Sequence, residues 1–131
     1  QFHPQRNYYF AREKVGFIPN DQRTEGTFSR YNSLDDKLDG FHYWTSYIKF
    51  GLGRASFEAS QEVRNGDLTR QEAVSLVHKY DGELPKRYFQ EILEYLDLNQ
   101  KELIEIANTF RPKHLWTKNK SGDYVLKNIL K

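Results

Sequence analysis

Apolar residues recur along this chain at helical spacing, in short blocks closed by glycine. Tyr8, Ala11 and Val15 share one face of a first short helix that Gly16 is placed to end. Leu34, Leu38, Phe41 and Ile48 repeat in the same way, with Trp44 and Tyr47 adding aromatic bulk and Gly51 stopping the run. Ser33 and Asp36 ahead of that run resemble a capping box, although Asp is a short partner for it. This helix is expected at the centre of the core. Ala55, Ala59 and Val63 predict a helix with a small-residue face, ending at Asn65-Gly66, that lets a neighbour approach closely. Thr69 and Glu72 form an S/T-x-x-E box before Ala73, Val77 and Tyr80, with Gly82 as terminator. Pro85 is placed at the first turn of a helix carrying Tyr88, Phe89, Ile92, Leu93 and Leu96. Asn99 with Glu102 opens a last helix, with Leu103, Ile106, Ala107 and Phe110 inward and Pro112 closing it.

The final stretch changes period. Leu115 and Trp116, then Asn119 to Asp123 as turn material, then Tyr124, Val125 and Leu126, read as a hairpin. No repeat, low-complexity tract or internal linker interrupts the chain. The expected fold is therefore mainly α: one compact multi-helix domain over residues 1–131 with a small C-terminal β-hairpin. Between the first two helices, residues 19–32 are polar, with Arg23, Thr24, Glu25, Gly26, Thr27, Ser29 and Arg30 and almost no apolar residue. Such a loop cannot fold independently and must lie on the rest of the domain.

Composition narrows the classes. A chain of 131 residues can bury enough surface for one core without a disulfide or metal. No apolar run approaches the roughly 20 residues that cross a bilayer, and the N-terminus lacks the pattern of an export signal. Cytoplasm is the expected location, with no membrane partner. The absence of cysteine removes disulfides, thiolate catalysis and cysteine-ligated zinc. The chain also has no methionine and begins Gln1-Phe2-His3-Pro4, so it reads as a piece of a longer enzyme rather than as a trimmed small protein. Net charge is +2, but Arg111, Lys113, Lys118, Lys120, Lys127 and Lys131 stand in the tail against Asp123 alone, leaving the preceding part mildly acidic. Lysines on an exposed hairpin commonly protect an edge, and no nucleic-acid partner is expected.

Few constellations carry chemistry. Asp97 to Glu102 has the outline of a calcium loop, but Lys101 stands where an oxygen ligand is required, so the segment reads as a helix cap. His3, His42, His78 and His114 lie too far apart for a helical ligand pair, and no metal site is expected. Gly51-Leu52-Gly53-Arg54 leads into a helix, where free backbone N–H groups and Arg54 could hold an anion; a glycine stop and a tight turn is the plainer account. The loop from Arg23 to Ser29 offers a guanidinium, a carboxylate, hydroxyls and a glycine, a set suited to sugar and anionic groups.

In order along the chain, Arg23-Thr24-Glu25-Gly26-Thr27, then Ser33-Leu34-Asp35-Asp36-Lys37-Leu38-Asp39-Gly40-Phe41-His42-Tyr43, then Tyr47-Ile48-Lys49-Phe50-Gly51-Leu52-Gly53-Arg54-Ala55 form a long signature. It continues through Glu62-Val63-Arg64-Asn65-Gly66, Leu68-Thr69-Arg70, Lys79-Tyr80-Asp81-Gly82-Glu83 and Arg111-Pro112-Lys113-His114-Leu115-Trp116. This signature closely resembles the C-terminal region of the bacterial N-acetyl sugar amidotransferases, pyrophosphatase-loop ATP enzymes of surface polysaccharide biosynthesis. The resemblance implies conversion of the acetamido group of a nucleotide-linked sugar to an acetamidino group. ATP, with magnesium, would adenylylate the amide oxygen, ammonia from a glutaminase partner would attack the carbon, and AMP would leave.

The family's S-G-G-x-D-S phosphate loop and its cysteine pairs are missing from this chain; they belong to the ATP-binding region that precedes the resembling part. The chain alone is therefore expected to be inactive and to bind no cofactor. Arg23, Glu25, Thr27, Lys49 and Arg54 are the expected substrate contacts in the intact enzyme, with no catalytic residue assigned. Two other readings stay open at this stage: a non-enzymatic helical module docking a glutaminase through exposed Tyr and Phe, and an RNA-binding accessory domain using the basic tail.

Overall fold

The computed structural model describes residues 2–131. Among them, helices α1 (Pro4–Val15), α2 (Asp39–Phe50), α3 (Arg54–Asn65), α4 (Arg70–Tyr80), α5 (Phe89–Leu96) and α6 (Gln100–Thr109) are followed by strands β1 (Trp116–Lys118) and β2 (Tyr124–Leu126). The strands pair antiparallel, Trp116 opposite Leu126 and Lys118 opposite Tyr124. The domain is mainly α with a C-terminal hairpin, as the periodicity predicts. No helix among the described residues is long and apolar enough to cross a membrane.

Local chemistry sets most helix ends. Thr69 and Glu72 close a reciprocal capping box at α4, and Asn99 and Glu102 close another at α6. Gly51 ends α2 in the left-handed conformation at φ 69°, where its N–H reaches the Tyr47 carbonyl at 2.8 Å.

Other ends differ from expectation. Ser33 does not cap α2, which begins only at Asp39. Asp36 instead accepts the backbone N–H of Leu38 at 2.7 Å, a local turn that competes with helix. Ser33 itself, at φ 59°, places its hydroxyl 2.6 Å from that of Tyr43. Pro85 is buried ahead of α5 rather than in its first turn. Asp81 in extended conformation, not Gly82, caps α4. Ile106 and Phe110 are exposed, because α6 packs on its Leu103, Ile104 and Ala107 side.

Two clusters make the core. Trp44 and Ile48 of α2 meet Leu93 of α5 and Leu103 and Ala107 of α6, flanked by Phe41, Leu84, Phe89, Leu98 and Ile104. Ala59 of α3 meets Ala73 and Val77 of α4, with Phe28 from the polar loop laid over them. Small side chains at Ala55, Ala59 and Ala73 bring α3 and α4 close together. Trp116 joins hairpin to core: its indole N–H donates to the Ile48 carbonyl at 2.8 Å, and its ring meets Tyr47 edge-on. Helix α1 has no buried residue and is held from outside, Tyr8 stacking on Tyr31 and the Gln5 amide donating to Glu62 at 2.9 Å.

Candidate functional site

The polar loop lies on α3 and on the turn after α4, held by its own polar groups. Arg23 makes a two-pronged ion pair with Glu83, Nη1 to Oε2 at 2.6 Å and Nη2 to Oε1 at 2.7 Å, while its guanidinium lies over the Tyr80 ring. The same Glu83 accepts the Gly26 N–H at 3.2 Å. Burial alone would push the Glu83 carboxyl up, but the hydrogen bonds from Arg23 and Gly26 and the charges of Arg23 and Lys86 outweigh it and hold it below the usual carboxylate range. Thr27 is fully buried, its hydroxyl shared between the carbonyls of Thr24 at 2.8 Å and Ser29 at 3.1 Å. Glu58, buried on α3, receives the Asn32 amide at 2.6 Å and Arg54 Nε at 3.2 Å.

The Gly-Leu-Gly-Arg turn does present backbone donors at the start of α3. They are already engaged by a carboxylate of this chain: Asp81 accepts the N–H of Gly53 at 3.0 Å and that of Ser56 at 3.2 Å. A Cβ at position 53 would collide with that carboxylate, so glycine there permits the approach. Arg54 turns away toward Glu58, Tyr43 and Phe57. Lys49 is exposed in the last turn of α2, its ammonium over the Phe50 ring.

Among the described residues, two of the surface cavities bear on the predicted contacts. The smaller, about 270 Å³, lies between the polar loop and the start of α5 and includes Glu25, Asp35, Asp36, Lys37, Arg87 and Tyr88 in its lining. Glu25 also accepts the Arg87 backbone N–H at 2.7 Å. The larger is a groove of about 1310 Å³ between α3 and α4 on one side and the hairpin and the residues after it on the other. Its aromatic residues are Trp44, Tyr47, Phe57, Trp116 and Tyr124, with the two tryptophans nearly buried, its cationic side chains are Arg64, Arg70 and Arg111, and Asp81 is its one carboxylate among the described residues.

Of the five side chains predicted as substrate contacts, Glu25 alone lines either cavity; Arg23, Thr27 and Arg54 are tied into the scaffold and Lys49 stands apart. Nothing in the sequence pattern singles out Arg111. It does occur in the Arg111-to-Trp116 stretch of the signature, where it counts merely as tail charge until its surroundings are known.

Fold and cavities together are those of a helical scaffold with a groove open along one side. Residues 25–131 match the family described as LPS biosynthesis protein WbpG-like, C-terminal domain, and the chain belongs to that family. Its work lies in lipopolysaccharide biosynthesis. Helix α1 and the first part of the polar loop precede the matched residues. No curated protein matches the chain at a significant level.

Proposed function

We propose that this chain is the substrate-side scaffold of an ATP-dependent amidotransferase that converts the acetamido group of a nucleotide-linked N-acetyl sugar to an acetamidino group, in the cytoplasm, during lipopolysaccharide biosynthesis. The observation that carries this reading is the match over residues 25–131 to a lipopolysaccharide biosynthesis domain. The ordered signature supports the amidotransferase chemistry, and a groove combining arginines with aromatic faces suits a phosphorylated sugar carrying a base.

In the proposed reaction the amide oxygen takes AMP from ATP with release of pyrophosphate, ammonia from a glutaminase partner adds to the carbon, and AMP departs with the oxygen. The Gly-Arg helix start does not offer a triphosphate site, since Asp81 already fills it. ATP and magnesium are proposed to bind in another part of the enzyme. None of the five expected contacts lines the large groove: Glu25, at the smaller cavity, and the exposed Lys49 are proposed to meet parts of the substrate that extend beyond it, while Arg23, Thr27 and Arg54 hold the loop and helix that flank it.

The test supplies the intact protein with ATP, magnesium, ammonium and a uridine-diphosphate-linked N-acetyl sugar. Formation of AMP together with replacement of one sugar oxygen by NH is expected in the mass spectrum. Turnover of neither substrate, nor of the same sugar on another nucleotide, would overturn the reading. A second reading, a non-enzymatic module docking the glutaminase, draws on exposed Tyr9, Phe10, Phe57 and Tyr95. Tight glutaminase binding by a protein that never forms the amidine would favour it.

A further inference from the structure

Arg111 stands where the chain passes from α6 to the hairpin, in the wall of the large groove. Its Nε donates to Asn108 Oδ1 at 2.8 Å. Its guanidinium carbon lies 4.1 Å from the centre of the Trp116 ring and 5.1 Å from that of Tyr124. Nη1 is buried and has no acceptor among the described residues.

That arrangement sets Arg111 apart from the other partly buried arginines. Arg23 and Arg54 each face a carboxylate, Glu83 and Glu58. Among the described residues Arg111 faces none within ion-pair distance. The electrostatic consequence has opposite signs: the hydrogen bond to Glu83 raises the Arg23 pKa, whereas burial lowers that of Arg111 despite the nearby hydroxyls of Tyr47 and Tyr124. A buried donor without an acceptor calls for an explanation, and a missing anion is one that also relieves the uncompensated charge.

The surroundings specify the kind of anion. Contacts with the Trp116 and Tyr124 rings and the Nε bond to Asn108 restrict the guanidinium, so its fork is oriented before a ligand arrives. Among the described residues the lining sets three arginines, Arg64, Arg70 and Arg111, against the single carboxylate of Asp81, so the net charge of the groove is positive. Tyr47 and Trp116, edge to face at 5.4 Å, add an apolar wall suited to a flat ring.

We propose that the groove is a nucleotide-sugar site in which Arg111 holds the diphosphate while the base or sugar lies against the Tyr47–Trp116 wall. This deepens the amidotransferase reading and rests on it for the identity of the sugar nucleotide, though the site itself does not. The anion meets the guanidinium where it lines the groove and supplies the counter-charge that Glu83 gives Arg23 and Glu58 gives Arg54.

Both tryptophans of the chain line this groove, so their fluorescence reports on it directly. The full chain is titrated with uridine diphosphate and, separately, with inorganic pyrophosphate. A saturable change with both probes is expected, with uridine diphosphate the tighter. Arg111→Lys is expected to weaken both at least about tenfold, the scale of a lost two-pronged contact, and Arg111→Met to abolish the response. Lys113→Met, which removes an exposed neighbouring charge, is expected to leave affinity unchanged. Circular dichroism checks that the Arg111 variants fold; if Arg111→Met does not, Arg111→Lys decides.

No response in the unaltered chain overturns the site. Native affinity in Arg111→Lys, or equal loss in Lys113→Met, overturns the role of Arg111. Amidine formation by an enzyme whose groove binds neither probe sinks this inference alone. Groove binding without amidine formation sinks the amidotransferase reading alone.

Discussion

Ser56 meets the carboxylate of Asp81 twice, through its backbone N–H at 3.2 Å and its hydroxyl at 2.6 Å. With the Gly53 N–H at 3.0 Å, three donors at the start of α3 share one side chain from the end of α4. This is an N-cap supplied from a distance, and it fastens the two best-packed helices at one end. Asp81→Ala should therefore cost about 1–2 kcal/mol, the range for a lost cap. At this chain length that corresponds to a melting temperature lower by roughly 3–10 °C. Asp81→Asn keeps an accepting oxygen and should recover part of the loss. Equal melting of all three proteins would show that the cap contributes nothing.

Two glutamates pull the pH dependence in opposite directions. Burial raises the Glu62 carboxyl, reinforced by the hydrogen bond and charge of Asp67 and opposed by the Gln5 amide, whereas Glu83 is held low. With Glu62 raised, the folded state keeps a proton that the unfolded state has lost, so its contribution grows as pH falls from neutrality and is lost as pH rises through the folded value. With Glu83 lowered, its contribution is present above the unfolded value and is lost as pH falls through the folded one. Stability should thus peak between neutrality and the ordinary glutamate value of about 4.3. Urea midpoints across that range check it, and Glu62→Gln should remove the rise on mild acidification while keeping the acid loss. A rise that survives in Glu62→Gln would assign it to another group.

Gly82 has φ 77°, and a Cβ there would run into the Tyr47 ring. Gly82→Ala combines a strained backbone with a forced shift of the ring that meets Trp116, and should destabilise by about 1–3 kcal/mol. Near-ultraviolet circular dichroism should weaken in parallel as the aromatic contact loosens. A stable variant with an unchanged aromatic spectrum would contradict this geometry.

Arg54 leaves the Gly-Leu-Gly turn and pairs with Glu58, which is 7% exposed. Removing the guanidinium leaves a buried carboxylate with fewer donors, so Arg54→Ala should lose about 1–2 kcal/mol of stability and Arg54→Lys less. Melting is to be measured beside amidino-sugar formation in the intact enzyme. Near-native melting with activity down at least about tenfold, roughly 1.4 kcal/mol in the transition state, would instead make Arg54 a substrate contact.

What was legible in the sequence was local. The Thr69–Glu72 and Asn99–Glu102 boxes, the glycine stops at Gly16, Gly51 and Gly66, and the hairpin around Gly122 form within a few residues, so their chemistry can be read in order. Ser33 and Asp36 misled because a box of the right spacing was outcompeted by the Asp36–Leu38 turn and by the Tyr43 hydroxyl. At the site, the same Arg23-to-Thr27 residues that look like exposed ligands are drawn into bonds with Glu83, 60 residues from Arg23, and with the loop's own carbonyls.

Periodicity and caps by themselves determined a mainly helical domain with a terminal hairpin, because amphipathic spacing and end-capping are properties of neighbouring residues. The ordered signature determined the family. Only the tertiary structure decided which polar groups are free. Whether an arginine is a strut or a ligand depends on acceptors brought to it from distant parts of the chain: Glu83 meets Arg23, while Arg111 lies against Trp116 and Tyr124 with no carboxylate at hand among the described residues. A charged side chain is satisfied or left wanting by its three-dimensional surroundings, and linear order does not carry that information.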